Sequence, residues 1–142
     1  MNTLYLMQGV PGSGKSYVAE RMQRGFEHCH ICSTDDYHFE DGKYIFKPHK
    51  LAEYHKKNLD RACDLLAQGH TVIVDNTNIQ RWQCREYVKF AVERGIPVVF
   101  VRVTGNFQNT HGVPQEAINK MLASMEELTV DSVLKSKSPW EK

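Results

Sequence analysis

The residues best suited to chemistry lie in a glycine-rich stretch near the start of the chain. Residues 9–16 read GVPGSGKS and fit the pattern G-x-x-x-x-G-K-[ST] of a phosphate-binding loop. The glycines let backbone N–H groups close on phosphate oxygens, Lys15 adds a mobile positive charge, and the hydroxyl of Ser16 can bind Mg²⁺. The residues predicted to bind nucleotide phosphates are Gly9, Gly12, Ser13, Gly14, Lys15, Ser16 and Tyr17.

The sequence on either side of this glycine loop is of the kind that the motif requires. A short apolar stretch at 4–7 has the composition of a β-strand, and Val18, Met22 and Phe26 recur at helical spacing after the loop. Strand, glycine loop and helix, in this order, are the structural context of a phosphate-binding loop. The alternative interpretation is a turn rich in glycine, proline and serine that binds no ligand, and both flanks argue against it.

Two adjacent carboxylates, Asp35 and Asp36, follow the second predicted strand. The hydroxyl that accepts a phosphoryl group must lose a proton, and a carboxylate within reach can take it. One of the pair could do this while the other holds a water of Mg²⁺ or a backbone group. The alternative, which the pattern leaves equally open, is that these carboxylates cap a helix or form an Asx turn.

A further polar cluster begins at Asp75, where a buried strand is predicted to end beside the glycine loop. Many nucleotide enzymes have a metal-directed aspartate in this position. Asn76, Thr77 and Asn78 add neutral donors and acceptors that suit a sugar, a base or a phosphate. A polar turn between strand and helix is the alternative.

Strands and helices alternate along the chain that must position these groups. Strands are predicted at 4–7, 28–33, 71–74 and 98–103, and helices after the glycine loop and at 49–68, 80–93 and 114–125. This pattern predicts one α/β domain over residues 1–142, with a parallel sheet covered on both faces and ligands at the carboxyl ends of its strands. Residues 34–47 read as a long loop that turns at Asp41-Gly42, and residues 130–142 as a short C-terminal tail or helix.

The net charge, the apolar runs and the cysteines of the chain exclude several classes of protein. Lys and Arg number 18 against 17 Asp and Glu, a net charge of +1, which excludes a general polyanion binder. No apolar run approaches the roughly 20 residues of a membrane helix, and the N-terminus has no signal-peptide pattern, so we expect a cytoplasmic protein without membrane contact. Four cysteines then read as reduced thiols. A zinc site at 28–32 is rejected, because no second Cys/His pair follows.

A basic and aromatic cluster occupies the middle of the chain. Cations alternating with aromatic rings suit a flexible nucleic-acid strand or a flipped base. A solvated helix face with aromatic rings packed on the sheet explains the same residues equally well. The cluster consists of Lys43, Lys47, Lys50, Lys56, Lys57 and Arg61 with Tyr37, Phe39, Tyr44, Phe46 and Tyr54.

Taken together, four blocks resemble the polynucleotide-kinase-like branch of P-loop kinases: residues 9–16, 33–37, 74–78, and 109–114 with the helix to Met125. The resemblance implies a three-layer αβα sandwich of the P-loop NTPase class, with a short four-stranded parallel sheet. It also implies ATP as donor, Mg²⁺ as metal and a hydroxyl of a nucleic acid, such as DNA, as acceptor. A phage-encoded member would act in the host cytoplasm.

The resemblance also implies roles for individual residues. Asp35 resembles the general base, and Lys15 resembles the phosphate contact at the catalytic centre. Ser16, Asp36 and Asp75 are the predicted metal-binding residues. The predicted substrate-binding residues are Tyr37, His38, Asp75, Asn76, Thr77 and Asn78.

Two departures from the family pattern leave the acceptor open. Family members commonly have arginine where this chain has His38, and they have arginines in the lid, whereas residues 104–113 contain neither Arg nor Lys. The acceptor could be a 5′-hydroxyl or a hydroxymethylated base such as 5-hydroxymethyluracil in phage DNA. The alternatives are a nucleoside or other small-molecule kinase, or a non-catalytic ATP-binding regulatory module. Candidates for the missing cation are Arg81, Arg85, Lys120 and His111.

Overall fold

The computed structural model describes residues 1–107 and 112–141. Its strands are β1 (Leu4–Gln8), β2 (Cys29–Cys32), β3 (Phe39–Glu40), β4 (Lys43–Tyr44), β5 (Thr71–Val74) and β6 (Val98–Arg102). Its helices are α1 (Lys15–Arg24), α2 (Leu51–Ala67), α3 (Arg81–Glu93), α4 (Gln115–Ser124) and α5 (Val130–Leu134). Short 3-10 helices cover Thr34–His38 and Pro48–Lys50.

Four parallel strands form the main sheet in the spatial order β2-β5-β1-β6. β5 is buried at every residue, as its Thr-Val-Ile-Val sequence predicts for a central parallel strand. Leu4 and Leu6 of β1 face a core shared with α2, α3 and α5, whereas Met7 packs with Ala19 of α1 on the opposite face. The predicted three-layer α/β fold with a four-stranded parallel sheet is therefore confirmed.

The first helix is shorter than its predicted apolar spacing, and the second buries one stripe of residues. α1 ends at Arg24, so Phe26 lies outside it and instead stacks on Tyr5 with 5.2 Å between ring centroids. In α2 the buried stripe is Tyr54, Asn58, Ala62 and Leu66, at a spacing of four residues. Asn58 is polar, but its Nδ2 donates a hydrogen bond to the hydroxyl of Tyr87, 3.0 Å away, and this bond lowers the cost of burying the side chain.

The predicted long loop at 34–47 is more ordered than expected. After the 3-10 helix, β3 and β4 pair as an antiparallel hairpin. Asp41 and Gly42 have φ of 49° and 78°, the left-handed conformation that a tight hairpin turn of this kind requires. The hairpin projects from the carboxyl end of the sheet, beside the residues that follow β2.

Of the two alternatives predicted for the C-terminal segment, the structure forms the short helix. Thr129 caps α5, since its Oγ1 accepts a hydrogen bond from the backbone N–H of Ser132 at 3.1 Å. Val133 of α5 is fully buried in the core beside α3. Beyond the helix, Trp140 meets Trp82 edge to face, with 5.0 Å between ring centroids. Within the described residues, no helix has the length and apolar character needed to cross a membrane.

Candidate active site

The glycine loop joins β1 to α1 in the conformation that its sequence predicts. Gly12 and Gly14 have φ of 85° and 97°, a region that residues with a Cβ rarely adopt. The backbone N–H of Gly9 donates to the carbonyl of Thr77 at 3.1 Å, which fixes the loop against the end of β5. Lys15 is the first residue of α1, so the positive end of the helix dipole and the Lys15 charge lie at the same place.

Ser16 and Asp75 meet beneath this loop. The Ser16 hydroxyl donates to Oδ2 of Asp75 at 2.9 Å. Asp75 is 8% exposed, and its other oxygen, Oδ1, has no hydrogen-bond partner among the described residues. Burial raises the pKa of Asp75, while Lys15 and the Ser16 hydrogen bond act in the opposite direction. A hydroxyl and an unpaired carboxylate oxygen are ligands that suit Mg²⁺, so the donor set fits that ion.

Asp35 and Asp36 lie in the 3-10 helix that follows β2, and they occupy different environments. Asp35 is half-buried, and the Tyr44 hydroxyl donates to its Oδ1 at 3.4 Å. Burial and the Asp35 charge together raise the pKa of Tyr44 to about 12. Asp36 is exposed as a residue, but desolvation of its carboxyl group raises its pKa, and Arg61 opposes this. The two adjacent carboxylates therefore differ in exposure and in the groups that contact them.

A histidine that the sequence did not single out lies beside Asp35. His55 Nδ1 is 3.2 Å from Oγ1 of Thr34, the residue that precedes Asp35. Burial lowers the pKa of His55, although the nearby Asp35 charge acts in the opposite direction. The backbone N–H of Thr34 donates to Oδ1 of Asn76 at 2.9 Å, which joins the ends of β2 and β5. The residues after these two strands therefore form one continuous surface.

The predicted substrate-binding residues differ in burial and in the groups that they contact. Asn78 is wrong as a side-chain substrate contact, because it is 2% exposed and its Nδ2 donates to the carbonyl of Met7 at 2.7 Å. Asn76 and Thr77 line a cleft described below. Tyr37 is half-buried and stacks on Tyr54 of α2, with 5.7 Å between ring centroids.

His38 is also wrong as a substrate contact. Its side chain is fully buried, and its Nδ1 accepts the backbone N–H of Lys47 at 3.1 Å. The rings of Tyr44, Phe46 and Tyr54 surround it at centroid distances of 4.8 to 5.9 Å. His38 is therefore the core of the hairpin region and cannot take the place of an arginine that grips phosphate.

Two of the four candidate cations are already paired with carboxylates. Arg81 contacts Glu126 at 3.5 Å, and Arg85 contacts Glu141 at 3.1 Å. Lys120 is exposed on α4. His111 lies outside the described residues, as do residues 109 and 110 of the fourth motif block.

The start of the predicted lid packs directly on the glycine loop. The backbone N–H of Phe107 donates to the carbonyl of Gly12 at 2.7 Å, and 71% of Phe107 remains exposed. A Cβ on Gly105 would collide with the carbonyl oxygen of Ser13 and with the Phe107 ring. This contact places an exposed aromatic ring beside Gly14, which sequence reasoning missed because residues 104–113 read as polar loop.

A cleft of about 470 Å³ lies between α2, α3 and the C-terminal segment 138–141. The loop after β5 supplies its inner wall through Asn76, Thr77 and Asn78. His55 of α2 also lines it, so the cleft adjoins Asp35. Its size is within the usual range for small-molecule and nucleotide sites.

Comparison with known proteins agrees with this geometry. A family model named AAA_33, described as an AAA domain, matches residues 4–106. Human NEDD4-binding protein 2 is 33% identical over 149 residues, an alignment that covers 98% of this chain. The chain spans only 8% of that relative's length.

Solved structures with similar folds include several kinases. A chain of the Pnkp1/Rnl/Hen1 RNA repair complex has a TM-score of 0.61 and 21% identity, with 94% of this chain and 42% of that one covered. APS kinase CysC from Mycobacterium tuberculosis has a TM-score of 0.56 and 19% identity, over 86% and 96%. A gluconokinase from Sinorhizobium meliloti 1021 has a TM-score of 0.56 and 17% identity, over 94% and 87%.

The matched family model includes the glycine loop, Asp35, Asp36 and Asp75. At the level of the fold, the resemblance to P-loop kinases is confirmed. The chain therefore belongs to the AAA_33 family of AAA domains and has the fold of a P-loop kinase.

Proposed function

We propose that this chain is an ATP-dependent kinase that transfers the γ-phosphate of ATP to a hydroxyl of a nucleic acid. The observation that carries the proposal is the buried Ser16–Asp75 pair under the glycine loop, 2.9 Å apart, with one carboxylate oxygen left without a partner among the described residues. Asp35 lies at the same edge of the sheet, where an acceptor would meet the donor. The site thus has groups suited to the donor and to the acceptor.

The donor side uses the N-terminal end of α1. Backbone N–H groups of the glycine loop and the charge of Lys15 would hold the β- and γ-phosphates of ATP. Ser16 and Asp75 would hold Mg²⁺, and Asp36 would contact one of its waters. When bound, the metal would neutralise part of the negative charge on the phosphates. Phe107, beside Gly14, would add an aromatic contact to the nucleotide.

The acceptor side uses Asp35 as general base. Its carboxylate takes the proton of the acceptor hydroxyl as that oxygen bonds to the γ-phosphorus. The bond between the γ-phosphorus and the β–γ bridging oxygen breaks, and ADP leaves with that electron pair. Tyr44, which donates to Asp35, positions the carboxylate and stays protonated, since its pKa is about 12.

Nucleic acid is favoured as the acceptor by three observations. The motif blocks resemble the polynucleotide-kinase-like branch, and the fold is similar to a chain of an RNA repair complex. The cleft beside Asp35 is lined by aromatic rings. A 5′-hydroxyl and a hydroxymethylated base both fit this proposal. A small-molecule acceptor is the second candidate, because the cleft has the volume of a small-molecule site and two similar folds are small-molecule kinases.

Release of ADP with each class of acceptor tests the proposal. Purified protein with labelled ATP would be offered strands with 5′-hydroxyl ends, base-modified DNA, and nucleosides. We expect strands or modified DNA to stimulate ADP release and to acquire the label, and Lys15→Ala to abolish both. Stimulation by nucleosides alone would indicate a small-molecule kinase. ADP release that no acceptor stimulates would indicate a regulatory ATP-binding module.

A further inference from the structure

The cleft between α2, α3 and the C-terminal segment is built around two indole rings. Trp82 at the start of α3 and Trp140 meet edge to face at an interplanar angle of 75°. Trp82 is fixed, since its Nε1–H donates to Oε1 of Gln80 at 2.8 Å. Trp140 is 73% exposed, so most of its ring surface is open to a ligand. An exposed indole that lines a concave site is a ready surface for stacking.

The polar groups of the cleft suit the edge of a planar ring. Oγ of Ser138 is buried and has no hydrogen-bond partner among the described residues, although Ser138 lines the cleft. Gln83 and Asn76 add amide groups to the same lining. A buried hydroxyl without a partner costs free energy unless a ligand or a water satisfies it. The lining therefore offers stacking and hydrogen bonding together.

The charges of the cleft nearly cancel. Lys56 and Arg85 line it together with Glu86 and Glu141, and Arg85 is paired with Glu141 at 3.1 Å. A groove that gripped a phosphate backbone would present an excess of unpaired cations. The balance of charges favours a base over a phosphate as the occupant.

The inner end of the cleft reaches the proposed transfer site. His55 and Asn76 line the cleft, and both contact Thr34, the residue before Asp35. A ring bound between α2 and α3 would thus lie next to the hydroxyl that Asp35 deprotonates.

We infer that this cleft binds one unpaired nucleobase of the acceptor strand, stacked on Trp140 and Trp82. The inference rests on the proposed function and specifies its substrate class as nucleic acid with an accessible base. The volume of about 470 Å³ admits a ring with its sugar but no base pair within a duplex. The C-terminal segment is then part of the substrate site.

Tryptophan fluorescence offers a direct test, because the chain has two tryptophans and both line this cleft. The full chain, without ATP, would be titrated with a single-stranded oligonucleotide, with an oligonucleotide of equal length that is abasic near its 5′ end, and with a blunt duplex. We expect quenching by the intact single strand and much weaker quenching by the other two. Equal quenching by the abasic strand would overturn the inference.

Variants at Trp140 give an independent measurement. Loss of one stacked base weakens binding by about 5- to 150-fold, so Trp140→Ala should raise the Kd for the single strand within that range. Trp140→Phe should restore most of the affinity, since it keeps an aromatic ring. The matched control is Phe26→Ala, which removes an exposed aromatic ring that stacks on Tyr5 on the opposite face of the sheet, and this variant should bind normally. Wild-type affinity in Trp140→Ala would contradict the inference.

These outcomes separate the inference from the proposed function. If the single strand quenches the tryptophans but receives no phosphate from ATP, the base site stands and the kinase proposal fails. If the strand is phosphorylated while fluorescence and Trp140→Ala show no effect, the kinase proposal stands and the base site fails. Displacement of the strand by an apolar peptide but not by nucleosides would show that the cleft is a protein-docking site, and would refute the inference.

Discussion

Replacing Asp75 with asparagine should make the ligand-free protein more stable and less active at the same time. At neutral pH the wild-type protein holds a carboxylate at a position that is 8% exposed, with Oδ1 unpartnered among the described residues. An unsatisfied buried polar group costs about 1–3 kcal/mol, and a charged one more. Asparagine removes the charge and keeps an oxygen that can accept the Ser16 hydroxyl.

The expected gain in the free energy of unfolding is at the low end of this range of about 1–3 kcal/mol. The new amide N–H₂ group also lacks a partner, and Lys15 loses an opposite charge. We expect about 1–2 kcal/mol, which corresponds to a rise in Tm of roughly 3–8 °C for a chain of this length. Phosphoryl transfer should fall by at least about 10²-fold, since a charge-stabilising group at the metal site is lost. Mg²⁺ with ATP should raise the Tm of the wild-type protein more than that of the variant.

The difference in stability between wild type and Asp75→Asn should depend on pH, in a direction that follows from the pKa of Asp75. The pKa of Asp75 is raised in the folded protein, so the cost of its charge develops as pH rises from the ordinary range of an aspartate to the raised value. The difference in Tm between the two proteins should therefore be present at neutral pH and vanish below about pH 4. Differential scanning calorimetry at several pH values measures this directly.

Asp64→Asn makes the same chemical change at an exposed position of α2 and serves as control, with an expected change within about 0.5 kcal/mol. A lower Tm for Asp75→Asn at neutral pH would refute the reasoning. So would a difference in Tm that persists unchanged in acid, because the carboxylate charge could not then be its cause.

Three further predictions concern the glycine loop, the acidic pair and the C-terminal helix. Lys15→Ala should abolish phosphoryl transfer and weaken ATP binding, as measured by calorimetric titration; normal turnover would mean that the glycine loop is not the donor site. Asp35→Asn should lower kcat by about 10²–10⁴ with ATP affinity little changed, whereas Asp36→Asn should have the milder effect on rate, and the reverse ranking would exchange the two roles. Val133→Ala should lower the free energy of unfolding by about 2–3 kcal/mol in urea titration, since Val133 is fully buried; a change below 0.5 kcal/mol would mean that α5 is not part of the core.

Features governed by local sequence were predictable here. The glycine loop depends on dihedral angles that only glycine adopts readily, and β5 depends on a run of β-branched residues, so both follow from a few adjacent positions. The hairpin turn at Asp41-Gly42 has the same kind of local signal, since both residues adopt the left-handed conformation. Its flanking strands have only two residues each, which hid the pairing.

Features governed by contacts between distant residues were not predictable. His38 follows two acidic residues and looked like a substrate contact, but rings contributed by Phe46 and Tyr54 enclose it. Asn78 looked like a free amide until the backbone of Met7 supplied its partner, 71 residues away in sequence. A polar side chain in the sequence indicates that a hydrogen-bond partner is needed. Only the fold shows whether that partner belongs to the protein or to the substrate.

The close packing of Gly105 against the glycine loop limits how this sequence can diverge. Gly105 and Gly25 both lie outside the left-handed region, so neither is required by its backbone angles. A methyl group at Gly25 would meet only the carbonyl of Met22, at an ordinary 3.5 Å, whereas any side chain at Gly105 would push the Ser13 carbonyl and Phe107 out of place. Among functional relatives, selection should therefore keep glycine at position 105 as strictly as within the phosphate-binding motif itself, while position 25 drifts freely to alanine or serine.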